Sequence, residues 1–371
     1  MATRTSEGPE LVIVLSDGIR GHENQSEGVA WWLGELCGAD VKWFRIPCIE
    51  GLRRFWWYKI RIFSLKQNTD KSAGNWVGKI PEGNAFISEL ESIIAAENIA
   101  VTDVLFLSAG SSTAPWCLSV ARVLGSKCCT IMTPSVIGTD PFDFAVVPKH
   151  DHPKPASNVF VTLGAPNMIR PDLLESEAKK LVEKYPPRRN VRWAVLLGGD
   201  DANYRLTPEW VKREIPKILA EAQKTDADVY ITTSRRTSPE AEEAITNSTK
   251  NHENVRALIL ASREPWNPVP GMLGLCDCVY CTEDSVSMIS EATTAGCEVR
   301  VLAMDRAYGV RFLLQYITVQ IVNAGLISQR FLWGIPKFDV MISEIVENTS
   351  FTSSQLETAA AVKWLSDRWT R

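Results

Sequence analysis

Thr282-Glu283-Asp284-Ser285-Val286-Ser287-Met288-Ile289-Ser290-Glu291 is the stretch that decides the fold. An apolar run, Val279 to Thr282, ends there and a segment with helical spacing begins that reaches Thr294, so a strand passes through a hydroxyl-rich turn into a helix. Such a helix start offers unpaired N–H groups and the positive end of the helix dipole to a phosphate, and Ser285 and Ser287 can add hydrogen bonds. Glu291 falls two turns in, where a carboxylate can accept from a ribose diol without facing the phosphates. The plainer possibility is that Asp284 or Ser285 only caps the helix.

The same strand–loop–helix unit recurs on either side. Trp193 to Leu197 runs into Gly198-Gly199, the helix Pro208 to Ala222 follows, and the strand Asp228 to Thr232 leads through Ser234-Arg235-Arg236-Thr237 to a helix at Pro239. Glu298 to Leu302 is a further strand. In the first half, Leu11 to Leu15 stops at Ser16-Asp17-Gly18 before a helical pattern through Val29, Trp32, Leu33 and Leu36. Val104 to Leu107 enters Ser108-Ala109-Gly110-Ser111-Ser112-Thr113 ahead of a helix from Trp116 to Leu124, and Cys128–Met132, Phe144–Val147 and Val159–Leu163 read as strands. Strands alternating with helices imply parallel sheets, hence an α/β protein of two doubly wound domains.

A length of 371 residues suits two domains. The charged stretch Glu175 to Arg189, with Pro186-Pro187, is read as the boundary, giving domains at 1–185 and 186–350. The segment 351–371 has helical spacing in Leu356, Ala360, Val362, Leu365 and Trp369 and is expected to pack back on the first domain.

Hydrophobic residues make up 45% and charged residues 23% of the chain, and the mean hydropathy is -0.07, values of a folded globular protein. A net charge of -4 excludes a general nucleic-acid binder, which needs a sustained basic surface. The run Leu11 to Leu15 is too short for a signal peptide core or a membrane span, so no export signal is expected. Nine cysteines, an odd number, fit free thiols and a cytoplasmic location. Cys276, Cys278 and Cys281 lie in an apolar strand and read as small hydrophobes, so no metal is expected.

Ser234-Arg235-Arg236-Thr237 sets two guanidiniums and two hydroxyls at the end of a strand, where open α/β sheets bind ligands and where a planar fork suits a diphosphate. Gly198-Gly199-Asp200 permits close backbone approach. In the first half, Ser16 to Gln25 gathers Asp17, His22 and Glu23, three candidate general bases among which the sequence does not choose. A purely local reading has Asp17 holding the loop and Asn24 capping the helix. His150-Asp151 is a further base-and-carboxylate pair, for which a structural loop is the simpler reading. Finally, Leu52 to Phe63 interleaves basic and aromatic residues, as a segment lying in an anionic membrane surface would, or as a helix with rings inward and charges solvated.

The blocks Gly21-His22-Glu23-Asn24-Gln25, Phe142-Asp143 with Pro148-Lys149-His150-Asp151, Asn158-Val159 with Gly164-Ala165, Ser234 to Thr237, Asn267-Pro268 and Asp284 to Ala292 make the chain resemble the mitochondrial fission protein family first named from plants with elongated mitochondria. That family looks like the GT-B glycosyltransferases, two Rossmann-like domains facing across a cleft. The resemblance implies a nucleotide-sugar gripped by the C-terminal domain, with Glu291 at the ribose, Ser285 and Ser287 at the diphosphate and Asn267-Pro268 at the base. Gly198, Gly199, Ser234, Arg235, Arg236, Thr237, Thr282, Asp284 and Met288 complete that site. The acceptor, a lipid-linked or glycan hydroxyl, would enter beside Asp17 and His22, with Gly21, Ser111, His150 and Asp151 on its side and with no metal or other cofactor. The resemblance thus implies an inverting glycosyltransferase of envelope glycan or glycolipid assembly, peripheral at the inner membrane face. A non-catalytic adaptor like the plant members, or a nucleotide-sugar epimerase or hydrolase, are the alternatives. Ser16 to Arg20 departs from the plant members, and Ser111-Ser112 follows Gly110 where some bacterial members carry a basic pair.

Overall fold

The computed structural model describes residues 8–49, 51–67, 69–151, 153–201, 204–306 and 351–370. The chain divides into two compact units, Met1–Met168 with Thr352–Arg371, and Ile169–Phe351.

The first unit is built on six parallel strands, β1 (Leu11–Ser16), β2 (Asp40–Arg45), β3 (Val104–Ala109), β4 (Lys127–Ile131), β5 (Phe144–Pro148) and β6 (Val159–Thr162), in the order β2-β1-β3-β4-β5-β6. Continuous apolar runs such as Leu11 to Leu15 and Val104 to Leu107 are buried on both faces, as parallel strands covered by helices must be. The covering helices are α1 (Arg20–Cys37), α2 (Gly51–Phe55), α3 (Asp70–Val77), α4 (Gly83–Ala96) and α5 (Ala114–Leu124). From β1 the chain turns one way to β2 and the other to β3, so the first switch point lies between β1 and β3. The C-terminal helix, Phe351–Ser366, belongs to this unit from Thr352 onward. Ala361, Val362 and Leu365 join the core, Trp364 meets Phe144 and Phe160 with ring centroids 5.8 Å apart in each case, and the Leu163 N–H donates to Glu357 Oε2 at 3.0 Å.

The second unit has a five-stranded parallel sheet, β7 (Val191–Leu196), β9 (Ala227–Thr232), β10 (Val255–Ile259), β11 (Cys278–Thr282) and β12 (Glu298–Leu302), in the order β10-β9-β7-β11-β12. A small ribbon pairs β8 (Tyr204–Arg205) with β13 (Asp305–Arg306). The helices are α6 (Pro171–Lys184), α7 (Pro208–Lys224), α8 (Pro239–Thr249), α9 (Val269–Leu275) and α10 (Val286–Thr294). Here the switch point lies between β7 and β11, whose Leu196 and Cys281 are paired. All nine cysteines are free, and Cys276, Cys278 and Cys281 are buried apolar side chains. Among the described residues no helix is long and apolar enough to cross a membrane.

One boundary differs from the sequence reading. The division falls between 168 and 169 and not between 185 and 186, because α6 packs on α9 of the second unit. Its Leu174 and Leu181 enter the core with Met272 and Leu273, and Glu177 Oε2 accepts from Trp266 Nε1 at 3.3 Å. The approach is close enough that a Cβ on Gly274 would stand 2.4 Å from the Leu174 carbonyl oxygen. Gly274→Ala is therefore expected to destabilise the second unit by about 1–3 kcal/mol in urea denaturation, the range for overpacking. Helix propensity alone would stabilise the same substitution by about 1 kcal/mol, so a stabilised variant would show that the contact is not tight.

Candidate functional site

Three loops leave the carboxyl edge of the second sheet at its switch point, and their polar groups are bound to one another before any ligand is considered. The Gly198 N–H donates to Thr282 Oγ1 at 2.7 Å and the Gly199 N–H to Asp284 Oδ2 at 3.0 Å, which ties the β7 loop to the β11 loop. Thr237 Oγ1 donates to the Gly198 carbonyl at 2.6 Å and accepts from the Ser234 N–H at 3.0 Å, which ties in the β9 loop. Arg236 Nη2 closes the set, 2.7 Å from Asp284 Oδ2. A Cβ on Gly198 would stand 2.1 Å from that same Asp284 oxygen, so the glycine pair admits the protein's own carboxylate.

The Asp284 side chain is 0% exposed. Burial pushes its carboxyl above the ordinary value against the pull of the Arg236 guanidinium, and Oδ1 lies out of water with no hydrogen bond of good geometry. Asp284 therefore does not cap α10. Nor does Ser285, the residue before the helix, whose side chain makes no capping bond, while α7 and α8 of the same unit are capped by Thr207 and Ser238. Among the described residues, the N–H groups at the start of α10 thus lack a side-chain acceptor, and the half-buried Ser285 and Ser287 hydroxyls make no hydrogen bond. Glu291 lies further along α10 at 5% exposure, and Met288 is half-buried beside the core.

The two arginines of the β9 loop are placed differently. Arg236 is committed to Asp284 and to the Gly199 carbonyl, 3.2 Å from Nη1. Arg235 is exposed with no hydrogen bond or ion pair among the described residues, and it is the free cation of the pair. Asn267 Oδ1 accepts from the Val269 N–H at 3.3 Å, and Pro268 stands at the start of α9. Glu283, which the sequence reading passed over, accepts from the Met304 N–H at 2.7 Å and lies 3.6 Å from Arg306 Nη2, fixing the β8–β13 ribbon. Its signal was an acid directly after a buried strand.

In the first unit the loop after β1 gives the three candidate bases different partners. His22 Nδ1 lies 3.2 and 3.1 Å from the two Asp17 carboxylate oxygens, which can only accept from it, and Nε2 has no partner among the described residues. The ring lies over Gly110, at the switch point, where a Cβ would meet it at 2.4 Å. Burial raises the Asp17 pKa, but the hydrogen bond and charge of His22 outweigh it and hold the carboxyl below its ordinary value. Glu23 instead accepts from Ser16 Oγ at 2.8 Å, and Ser16 Oγ accepts from the Gly18 N–H, so Glu23 locks the strand end. Helix α1 begins at Arg20, with Gly21 in its first turn and Asn24 within it, so Asn24 is not a cap. Ser111 Oγ is bonded to Ser135 Oγ at 2.9 Å, joining the β3 and β4 loops. Asp151 Oδ2 accepts from the Thr133 N–H at 2.8 Å and so holds a loop; the His150 side chain lies outside the described residues. Among the described residues no three His, Cys, Asp or Glu side chains group as a metal site.

The family model for mitochondrial fission ELM1 matches residues 20–316, most of the chain. The chain belongs to the mitochondrial fission ELM1 family. Among curated proteins the sequence finds no match. Of solved structures, this ELM1-family chain is similar to a UDP-GlcNAc 2-epimerase from Methanocaldococcus jannaschii, at 11% identity over 93% of this chain and 97% of that one, with a TM-score of 0.51. It is also similar to a UDP-glucosyltransferase from Polygonum tinctorium capable of glucosylating indoxyl, at 10% identity over 99% and 100% with a TM-score of 0.48. A glycosyltransferase from Rickettsia africae follows at 12% identity over 96% and 98%, TM-score 0.46. The first of these carries the fold: two Rossmann-like units of the GT-B type.

The raised Asp284 pKa has a measurable consequence in this family member. A group whose folded pKa is raised adds stability that is fully present below the unfolded value, 3.8, and is lost as pH rises through the folded value. Asp284→Asn removes that dependence, so the variant is expected to gain stability relative to the parent as pH rises above 3.8 in urea denaturation. A difference that is constant or falls with pH would contradict the assignment.

Proposed function

We propose that the protein is an inverting glycosyltransferase that takes a nucleotide-sugar donor and a hydroxyl acceptor. The observation that carries this reading is the His22–Asp17 pair, with Nδ1 held by the carboxylate and Nε2 unengaged among the described residues at the first switch point. A mere binding module has no use for an oriented, unengaged imidazole, whereas a hydroxyl nucleophile needs a base of this kind.

In the proposed reaction Nε2 takes the acceptor proton, the acceptor oxygen forms its bond to the anomeric carbon from the face opposite the diphosphate, and the carbon–oxygen bond to the diphosphate breaks. The electron pair leaves on a nucleoside diphosphate. Asp17 stabilises the imidazolium that forms, acting as a positioning residue. Support for the donor end comes from α10, whose uncapped N–H groups, the Ser285 and Ser287 hydroxyls and Arg235 suit a diphosphate, while Glu291 is assigned to the ribose and Asn267-Pro268 to the base. Arg236, Thr237, Gly198, Gly199, Thr282 and Asp284 shape the loops and make no direct claim on the ligand. No metal enters this scheme, because helix dipole and guanidinium meet the charge on the leaving group. The acceptor class is a lipid-linked or glycan hydroxyl at the cytoplasmic membrane face, in envelope glycan or glycolipid assembly.

Calorimetric titration with UDP-, GDP-, CMP- and dTDP-sugars, followed by assay of released nucleotide, tests both halves. Glu291→Ala is expected to weaken donor binding by about tenfold or more, the loss of one charge-assisted bond pair. His22→Ala is expected to keep that binding and to lower turnover by about 10²–10⁴-fold, and turnover is expected to survive a chelator. Absence of nucleotide binding would overturn the reading in favour of an adaptor. Product formed without any acceptor would replace it with an epimerase or hydrolase.

A further inference from the structure

The segment after β2 was open to two sequence readings, and the structure shows a third arrangement. Helix α2 runs on through a π-helical turn, Trp56–Ile60, into a 3-10 turn, Arg61–Gln67. One face is pinned inward: Trp57, Ile62 and Leu65 are buried, with the Trp57 ring centroid 5.9 Å from that of Trp76, and Tyr58 accepts from Trp116 Nε1 at 2.9 Å. The other face carries Leu52, Trp56, Ile60 and Phe63 at 90%, 51%, 44% and 56% exposure. Four large apolar side chains stand in water on a segment that the core holds rigidly from behind.

The charges on the same segment are all of one sign. Between Gly51 and Thr69 the sequence has Arg53, Arg54, Lys59, Arg61 and Lys66 and no acidic residue, in a chain whose net charge is -4. Arg53 and Arg54 are exposed, and Lys66 Nζ lies 5.5 Å from the centroid of the exposed Phe63 ring. A protein interface of this apolar character concentrates aromatics at its centre and depletes lysine there. Cations interleaved with exposed apolar side chains, two of them aromatic, match instead a surface that is anionic at its face and apolar just beneath, where rings sit at headgroup level and basic side chains meet phosphate.

We infer that Leu52, Trp56, Ile60 and Phe63, with Arg53, Arg54 and Lys66, form a docking surface for an anionic lipid bilayer. Docking places no helix across the membrane; the apolar side chains enter only the headgroup and upper acyl region. On the transferase reading, docking would hold the first unit at the surface that carries a lipid-linked acceptor; the docking itself does not rest on that reading.

The test uses the full chain with sedimenting vesicles of pure phosphatidylcholine and of phosphatidylcholine with about 30% phosphatidylglycerol, a charge density like that of anionic leaflets. Binding at least about tenfold tighter to the anionic vesicles is expected, falling as salt is raised. Trp56→Ser with Phe63→Ser, and separately Arg53→Gln with Arg54→Gln, should each reduce binding severalfold while leaving thermal melting and nucleotide titration unchanged. Brominated lipid should quench tryptophan emission in the parent and less in Trp56→Phe. No binding, equal binding to both vesicle types, or binding untouched by both double variants would overturn the inference. A dimer that the Trp56 and Phe63 variant abolishes would overturn it as well, by assigning the patch to a second copy of the chain.

Discussion

Asp284 has its side chain wholly out of water beside a single guanidinium, and the carboxyl edge of the second sheet is arranged around it. A carboxylate in that position is costly unless paired and hydrogen-bonded. The Gly199 N–H and Arg236 supply those partners, and in doing so they draw the loops after β7, β9 and β11 together. Gly198 has no side chain because the carboxylate occupies the space one would need. With Asp284 turned inward, nothing from its side chain reaches the start of α10, and Ser285 leaves it uncapped too. A buried ion pair thus preorganises an open anion site that the pair itself does not fill.

The first unit uses the same topological device with different chemistry. At its switch point the loop after β1 meets the loop after β3, and the His22 ring lies over Gly110 with Asp17 behind it. Ser16 and Glu23 fasten the strand end from which that loop leaves. One unit therefore presents an oriented imidazole and the other an uncapped helix start, each rooted in a sheet whose central strands are buried on both faces.

The strands and their exit loops were legible because buried parallel strands write their burial as continuous apolar runs, so Leu11 to Leu15, Val104 to Leu107 and Val279 to Thr282 fell within a residue or two of the observed elements. Strand β2 was missed because its Asp40, Lys42 and Arg45 break the run at the sheet edge. The domain boundary was misplaced because α6 is charged on its outer face and resembles a linker, and the glycines of α9 that receive it lie far along the chain. Within the site, residue types were legible and allegiances were not. Arg235 and Arg236 are equivalent in sequence, and only the position of Asp284 on another loop decides which is spoken for. His22 and Glu23 are adjacent in the same way, and Asp17 and Ser16 divide them.

The claim that matters most is that the loops after β7, β9 and β11 and the start of α10 form one ligand site. Amide hydrogen exchange of the full chain, measured without ligand and with saturating UDP-, GDP-, CMP- and dTDP-sugar in turn, tests it directly. Slowed exchange at 198–201, 234–237 and 284–291 together, with at least one of these donors, is the expected result. Exchange unchanged at 284–291 while another part of the chain is protected would contradict it.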